Sequence, residues 1–201
     1  MGSTAEQRRR VRTGVWHRRE GRAMWVWWLV ANALGWAVVA AMVGIVDLSV
    51  ALSFGAVIGV AQGLVLWYHL QDRALSLFWV MISTLFGPIG LVVGMGLSLA
   101  LGLTRHALYG PVLAAATGAA VGYFQGPGLR RHSRRARWWA LTTAVGGAAA
   151  AAVGLTATAV IPIEAARIVL AGAVYGAATG GGLVWLLRDV GAGESSPNGK
   201  A

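Results

Sequence analysis

Cysteine is absent from the 201-residue chain, which excludes a disulfide scaffold and any zinc or iron–sulfur centre built on thiolates. Charge is scarce as well: Asp, Glu, Lys and Arg make up 12% of the residues, where a soluble domain carries roughly twice that share. Acids are the rarest, seven against 17 Lys and Arg, and none lies in the middle of an apolar run. Ion-coupled pumps rely on an intramembrane carboxylate or a histidine relay, so proton-driven transport lacks its chemistry. His17, His69, His106 and His132 sit near the ends of apolar runs or in basic segments. No two of them face each other from adjacent runs, so neither a metal nor a haem or pigment is expected. Ser83 and Ser98 have no His/Asp set beside them, which removes nucleophilic catalysis. Gly180-Gly181-Gly182 is followed by no Lys-Ser/Thr, which removes a phosphate loop. The chain is therefore read as a non-enzyme without a cofactor.

What is present is apolar. Hydrophobic residues reach 57%, and glycine, at 29 residues, shows no collagen-like period of three. Six apolar stretches run through the chain: Met24–Val46, Leu48–Tyr68, Leu75–Leu103, Ala107–Gly126, Trp138–Ile161 and Ile168–Leu187. Each has at least the roughly 20 residues that a helix needs to cross some 30 Å of hydrocarbon. The first is too long for a cleaved signal segment, whose apolar part is usually about 7–15 residues.

The breaks alternate in charge. The arm before Met24 holds seven arginines, and Arg130–Arg137 holds five more; with Arg73, Arg188 and Lys200 that makes fifteen basic residues on one side. Only Arg105 and Arg167 fall on the other. The positive-inside rule then puts both termini in the cytoplasm. Trp25, Trp27, Trp28, Trp67, Trp79, Trp138, Trp139 and Trp185 all lie near the cytoplasmic ends of their runs, the level that amphipathic indoles prefer. The expected organisation is a basic cytoplasmic arm (1–23), a six-span domain (24–188) and a disordered tail (189–201). Seven arginines in the arm suit anionic lipid at about 1 kcal/mol per charge near the surface. Nucleic acid is the less favoured partner, because topology already explains the charge.

The even-numbered runs share one pattern. Gly55, Gly59, Gln62 and Gly63 in the second match Gly118, Gly122, Gln125 and Gly126 in the fourth, and Gly172, Gly176, Thr179 and Gly180 in the sixth. A leucine follows three residues later each time: Leu66, Leu129, Leu183. The odd runs align through Trp27…Asn32…Gly35, Trp79…Thr84…Gly87 and Trp138…Thr143…Gly146. The unit is a two-helix hairpin repeated three times, which predicts an all-α bundle of six transmembrane helices with pseudo-threefold order. This pattern resembles small bacterial integral membrane proteins with GxxxGxxQ helical-hairpin repeats. The resemblance implies architecture and assigns no site.

Glycines at i, i+4 and i+8 form one face of a helix without side chains, so another backbone approaches closely. Gln62, Gln125 and Thr179 flank those stripes and face protein. An amide in hydrocarbon is costly unless paired, so interhelical hydrogen bonds with Asn32, Thr84 or Thr143 are expected. The leading functional reading is an accessory or scaffold subunit of a bacterial inner membrane, held by glycine-stripe packing and able to meet other membrane subunits. The alternative is a passive channel or facilitator for a small neutral solute, lined by Gln62, Gln125 and Thr179.

Overall fold

A computed structural model describes the backbone of residues 18–42 and 48–188, and side chains over 20–42 and 54–188. Arg8, Asp47 and the tail from 189 lie outside the described residues. Among the described residues six α-helices follow in order: α1 (Arg18–Met42), α2 (Leu48–Leu70), α3 (Arg73–Ala100), α4 (Tyr109–Leu129), α5 (Trp139–Thr156) and α6 (Glu164–Leu187). Short 3-10 turns at Ala136–Trp138 and Ala157–Ala159 flank α5. No strand occurs among the described residues.

Four helical stretches are long and apolar enough to cross a membrane: Glu20–Met42, Arg73–Ala100, Ala136–Ala159 and Glu164–Leu187. The chain is thus a helical membrane protein. The described side chains of α2, Phe54–Leu70, form a shorter apolar helix. Helix α4 has 21 residues, enough length for a bilayer at 1.5 Å per residue, but its glycines, prolines, tyrosines and Gln125 lower its hydropathy. Helix α1 begins at Arg18, inside the stretch read from sequence as an arm.

Each helix packs on its neighbours in sequence, and α1 packs on α6, so the six close into a ring. The glycines explain how closely. A Cβ added at Gly59 would lie 2.7 Å from Ser83 Cβ, and one at Gly176 would lie 2.8 Å from Asn32 Cβ. At Gly55 it would meet the Ser83 carbonyl, at Gly118 the Thr143 carbonyl, and at Gly172 the Trp36 ring. Even helix thus meets the next odd helix through a bare face three times, α6 on α1 closing the ring. Gly126 is looser, with its nearest atom at 3.4 Å.

The turn between α2 and α3 spans two residues. Gln71 takes φ 53°, a left-handed conformation that a non-glycine residue adopts only at some cost, and its N–H closes on Trp67 O at 2.9 Å, the usual way to stop a helix. Asp72 then caps α3, its Oδ1 accepting from Leu75 N–H at 2.9 Å. Four chain segments gather at this end of the ring. His132 Nε2 lies 3.0 Å from Asp72 Oδ2, Ser133 Oγ donates to Leu186 O, and Gly21 abuts Val184. Arg22, Arg73, Arg188 and the arginines of 130–137 are all at this end.

Candidate functional site

The centre of the ring is a polar network built on three buried tryptophans. Trp79 Nε1 donates to Gln62 Oε1 at 2.8 Å, and Trp139 Nε1 donates to Gln125 Oε1 at 2.8 Å. An indole only donates, so each amide must turn its oxygen toward the ring and its NH2 away. Gln62 Nε2 accordingly donates to Asn32 Oδ1 at 2.9 Å, and Gln125 Nε2 to Ser83 Oγ at 3.0 Å. Asn32 and Ser83 then donate back to the carbonyls of Trp28 and Trp79, four residues earlier. The four bonds made by the glutamines join separate helices, and every bond in the network satisfies a buried donor that hydrocarbon would leave unpaired.

The third copy is shorter. Trp28 Nε1 donates to Thr179 Oγ1 at 3.0 Å, but the threonine hydroxyl turns back to its own Tyr175 carbonyl at 2.7 Å. The single hydroxyl proton of Thr179 is spent on its own helix, so this copy passes no donor on to a third helix as the glutamine amides do. Thr143 instead bridges α5 to α4 by donating to Gly118 O at 2.7 Å. Thr84, aligned with Asn32 and Thr143 by spacing from Trp79, is half-buried and bonds its own Val80 carbonyl. Ser83, one residue earlier, takes the place in the network. The spacing set Trp27 and Trp138 level with Trp79, whereas the indoles that point inward are Trp28 and Trp139. Adjacent helical residues differ by about 100° in direction, so one tryptophan of each Trp-Trp pair faces the lumen and the other faces outward. Trp27 is 55% exposed and Trp138 44%. Eight indoles assigned to an interfacial belt thus include three that serve the interior.

Those three indoles close the lumen. Trp28, Trp79 and Trp139 lie with ring centroids 5.4–6.2 Å apart, tilted or edge to face, the arrangement that aromatic quadrupoles favour. One turn beyond the polar residues, Leu66, Leu129 and Leu183 are fully buried. Met24, Leu70, Leu75 and Leu187 complete a dry plug at the arginine-rich end.

On the other side of the plug the ring surrounds an open-mouthed chamber of about 600 Å³. Gln62, Ser83 and Gln125 line its deep end; Thr158 and Glu164, both exposed, and Arg167 mark the opposite end. Between them the wall is Phe54, Ile58, Leu113, Val121 and Ile168, with Trp36 from α1. All six helices contribute. The stripe glycines Gly55 and Gly118 lie in the wall, so close packing and the chamber share one surface.

At the basic end, His132 ties the loop before α5 to the α2–α3 turn through Asp72. Burial pushes the Asp72 carboxyl up. The Leu75 N–H, the His132 ring acting by hydrogen bond and by charge, and the Ala74 N–H outweigh it, and hold the group below the usual carboxylate range. The Arg135 guanidinium stacks 4.7 Å from the Trp185 ring centroid, a cation–π contact at the same end of the ring. Among the described residues no group of three His, Asp, Glu or Cys is placed to hold a metal ion. No protein-family model matches this chain, and no curated protein or solved structure is significantly similar to it.

Proposed function

We propose that the protein is a six-span, non-enzymatic subunit of a bacterial inner membrane, made of three copies of one helical hairpin about an axis along the membrane normal. Both termini and the 130–137 loop lie in the cytoplasm, where anionic lipid meets the arginines. The subunit acts as a rigid accessory or scaffold component that does not conduct. One observation carries this reading: three indoles in mutual contact, backed by three buried leucines, fill the lumen. A solute path would need all three tryptophans to leave a packed, hydrogen-bonded layer together.

A second reading, passive passage of a small neutral solute, draws on the chamber that Gln62 and Gln125 line up to that layer. Liposome swelling separates the two. Purified protein in liposomes should pass glycerol and urea no faster than empty vesicles. Wild-type flux that Gln62→Leu abolishes would overturn the scaffold reading in favour of a facilitator, because an apolar ring dewets a narrow constriction. Sidedness is tested by cysteine labelling on a chain without native thiols. Ser133 is buried and bonded to Leu186 O, so the exposed neighbour Arg134 is the site to use. Arg134→Cys should resist an impermeant thiol reagent in intact cells and react after permeabilisation; labelling from outside would invert the topology.

A further inference from the structure

Resting on the reading of a sealed ring, we propose that the chamber is a binding site for an uncharged, mainly apolar molecule carrying a carbonyl oxygen. Three features select that class. Size comes first: about 600 Å³ falls within the roughly 300–1,000 Å³ of small-molecule sites, which are mostly apolar with a few placed polar groups. Charge comes second: the deep end presents Gln62, Ser83 and Gln125, and the charged lining residues are Glu164 and Arg167 at the opposite end. An ion taken to the amides would lose its hydration without gaining a counter-ion.

Hydrogen-bond sense comes third. The Trp36 Nε1–H is buried and has no partner, while its indole lines the chamber. Gln62 and Gln125 are 4% and 2% exposed, and each has one amide hydrogen engaged, by Asn32 and Ser83. An amide NH2 carries two hydrogens, so each keeps a second. Their oxygens are committed to Trp79 and Trp139, which prevents the amides from flipping to offer acceptors. The unused groups on these three residues are therefore donors, and a buried donor without a partner is costly. A ligand carbonyl relieves that cost, and a hydrocarbon does not.

The test uses a pair with one carbon skeleton, 2-methyl-1,4-naphthoquinone and 2-methylnaphthalene, titrated calorimetrically into the full-length protein in lipid nanodiscs. A chamber-filled variant, Val121→Trp, measures partitioning into lipid. The quinone should bind wild type at one equivalent, lose that binding in Val121→Trp, and bind at least several-fold tighter than the naphthalene. Trp36→Phe, which keeps a ring and removes the N–H, should weaken the quinone about two- to tenfold, as loss of one hydrogen bond does, and leave the naphthalene unchanged. Equal affinity for both probes in wild type overturns the carbonyl assignment, and binding that survives Val121→Trp overturns the site. The wild-type comparison stands even where Trp36→Phe fails to fold. Failure here, with liposomes still impermeable, removes the ligand and leaves the sealed subunit. Solute flux through wild type removes the sealed subunit itself.

Discussion

Gly118→Ala adds a single methyl group, and the structure decides its sign. On helix propensity alone the change gains up to about 1 kcal/mol. In the ring, the new Cβ would run into the Thr143 carbonyl and lie 3.2 Å from Ala144 N. Those atoms are α5 backbone and cannot swing aside as a side chain does, so α4 and α5 must part. Overpacking of this kind costs about 1–3 kcal/mol. Parting the helices also stretches the bond from Thr143 Oγ1 to Gly118 O, now 2.7 Å, at about 0.6–1.7 kcal/mol for an interhelical pair in a membrane. The cost wins, and a net loss of about 1–3 kcal/mol is expected after the propensity gain is subtracted. Gly96→Ala on α3 is the internal control, because nothing lies within 4 Å of its added Cβ. Thermal unfolding in one detergent should place Gly118→Ala below wild type and Gly96→Ala at or slightly above it. If the two variants melt together, the bare face of α4 is not in contact with α5 and the packing argument fails.

Gln125→Leu should destabilise by about 1–2 kcal/mol, between the average membrane pair and a buried donor left alone, because it strands Trp139 Nε1–H. Adding Trp139→Phe should recover part of that loss in a double-mutant cycle; strictly additive costs would mean that the indole and the amide do not interact. Acid should weaken the basic end. The Asp72 carboxyl lies below its ordinary value, so its ionised form contributes stability that is full above the unfolded-state pKa of about 3.9 and is lost as pH falls through the lower folded value. Asp72→Asn keeps an N-cap oxygen and removes the titration. Its melting temperature should therefore fall less steeply than wild type between about pH 5 and 3, and parallel curves would rule out the Asp72–His132 link as the cause.

Composition, charge order and periodicity by themselves determine a good deal of this protein. Sparse charge and long apolar stretches leave helices as the open spanning structure that satisfies its own backbone, and the chain is all-helical among the described residues. The i, i+4, i+8 glycines mark faces onto which a neighbouring helix must come, because the absence of side chains there is itself the local information. Gln62 and Gln125 are legible as buried for the same reason: an amide beside a bare face has protein beyond it.

Which partner each amide meets is a matter of tertiary structure. Sequence spacing gives a helical face only to within one residue, about 100° of rotation, so Ser83 and Thr84 are equivalent on paper. Only the docking of α2 and α4 against α3 turns Ser83 inward and leaves Thr84 on its own turn. The same ambiguity hides Trp28 and Trp139 beside their outward neighbours Trp27 and Trp138. The plug and the chamber are further removed from sequence, since each exists only where six helices from distant parts of the chain converge. Closure by α6 against α1 brings Trp28 to Thr179, 151 residues away, and no local pattern encodes that distance.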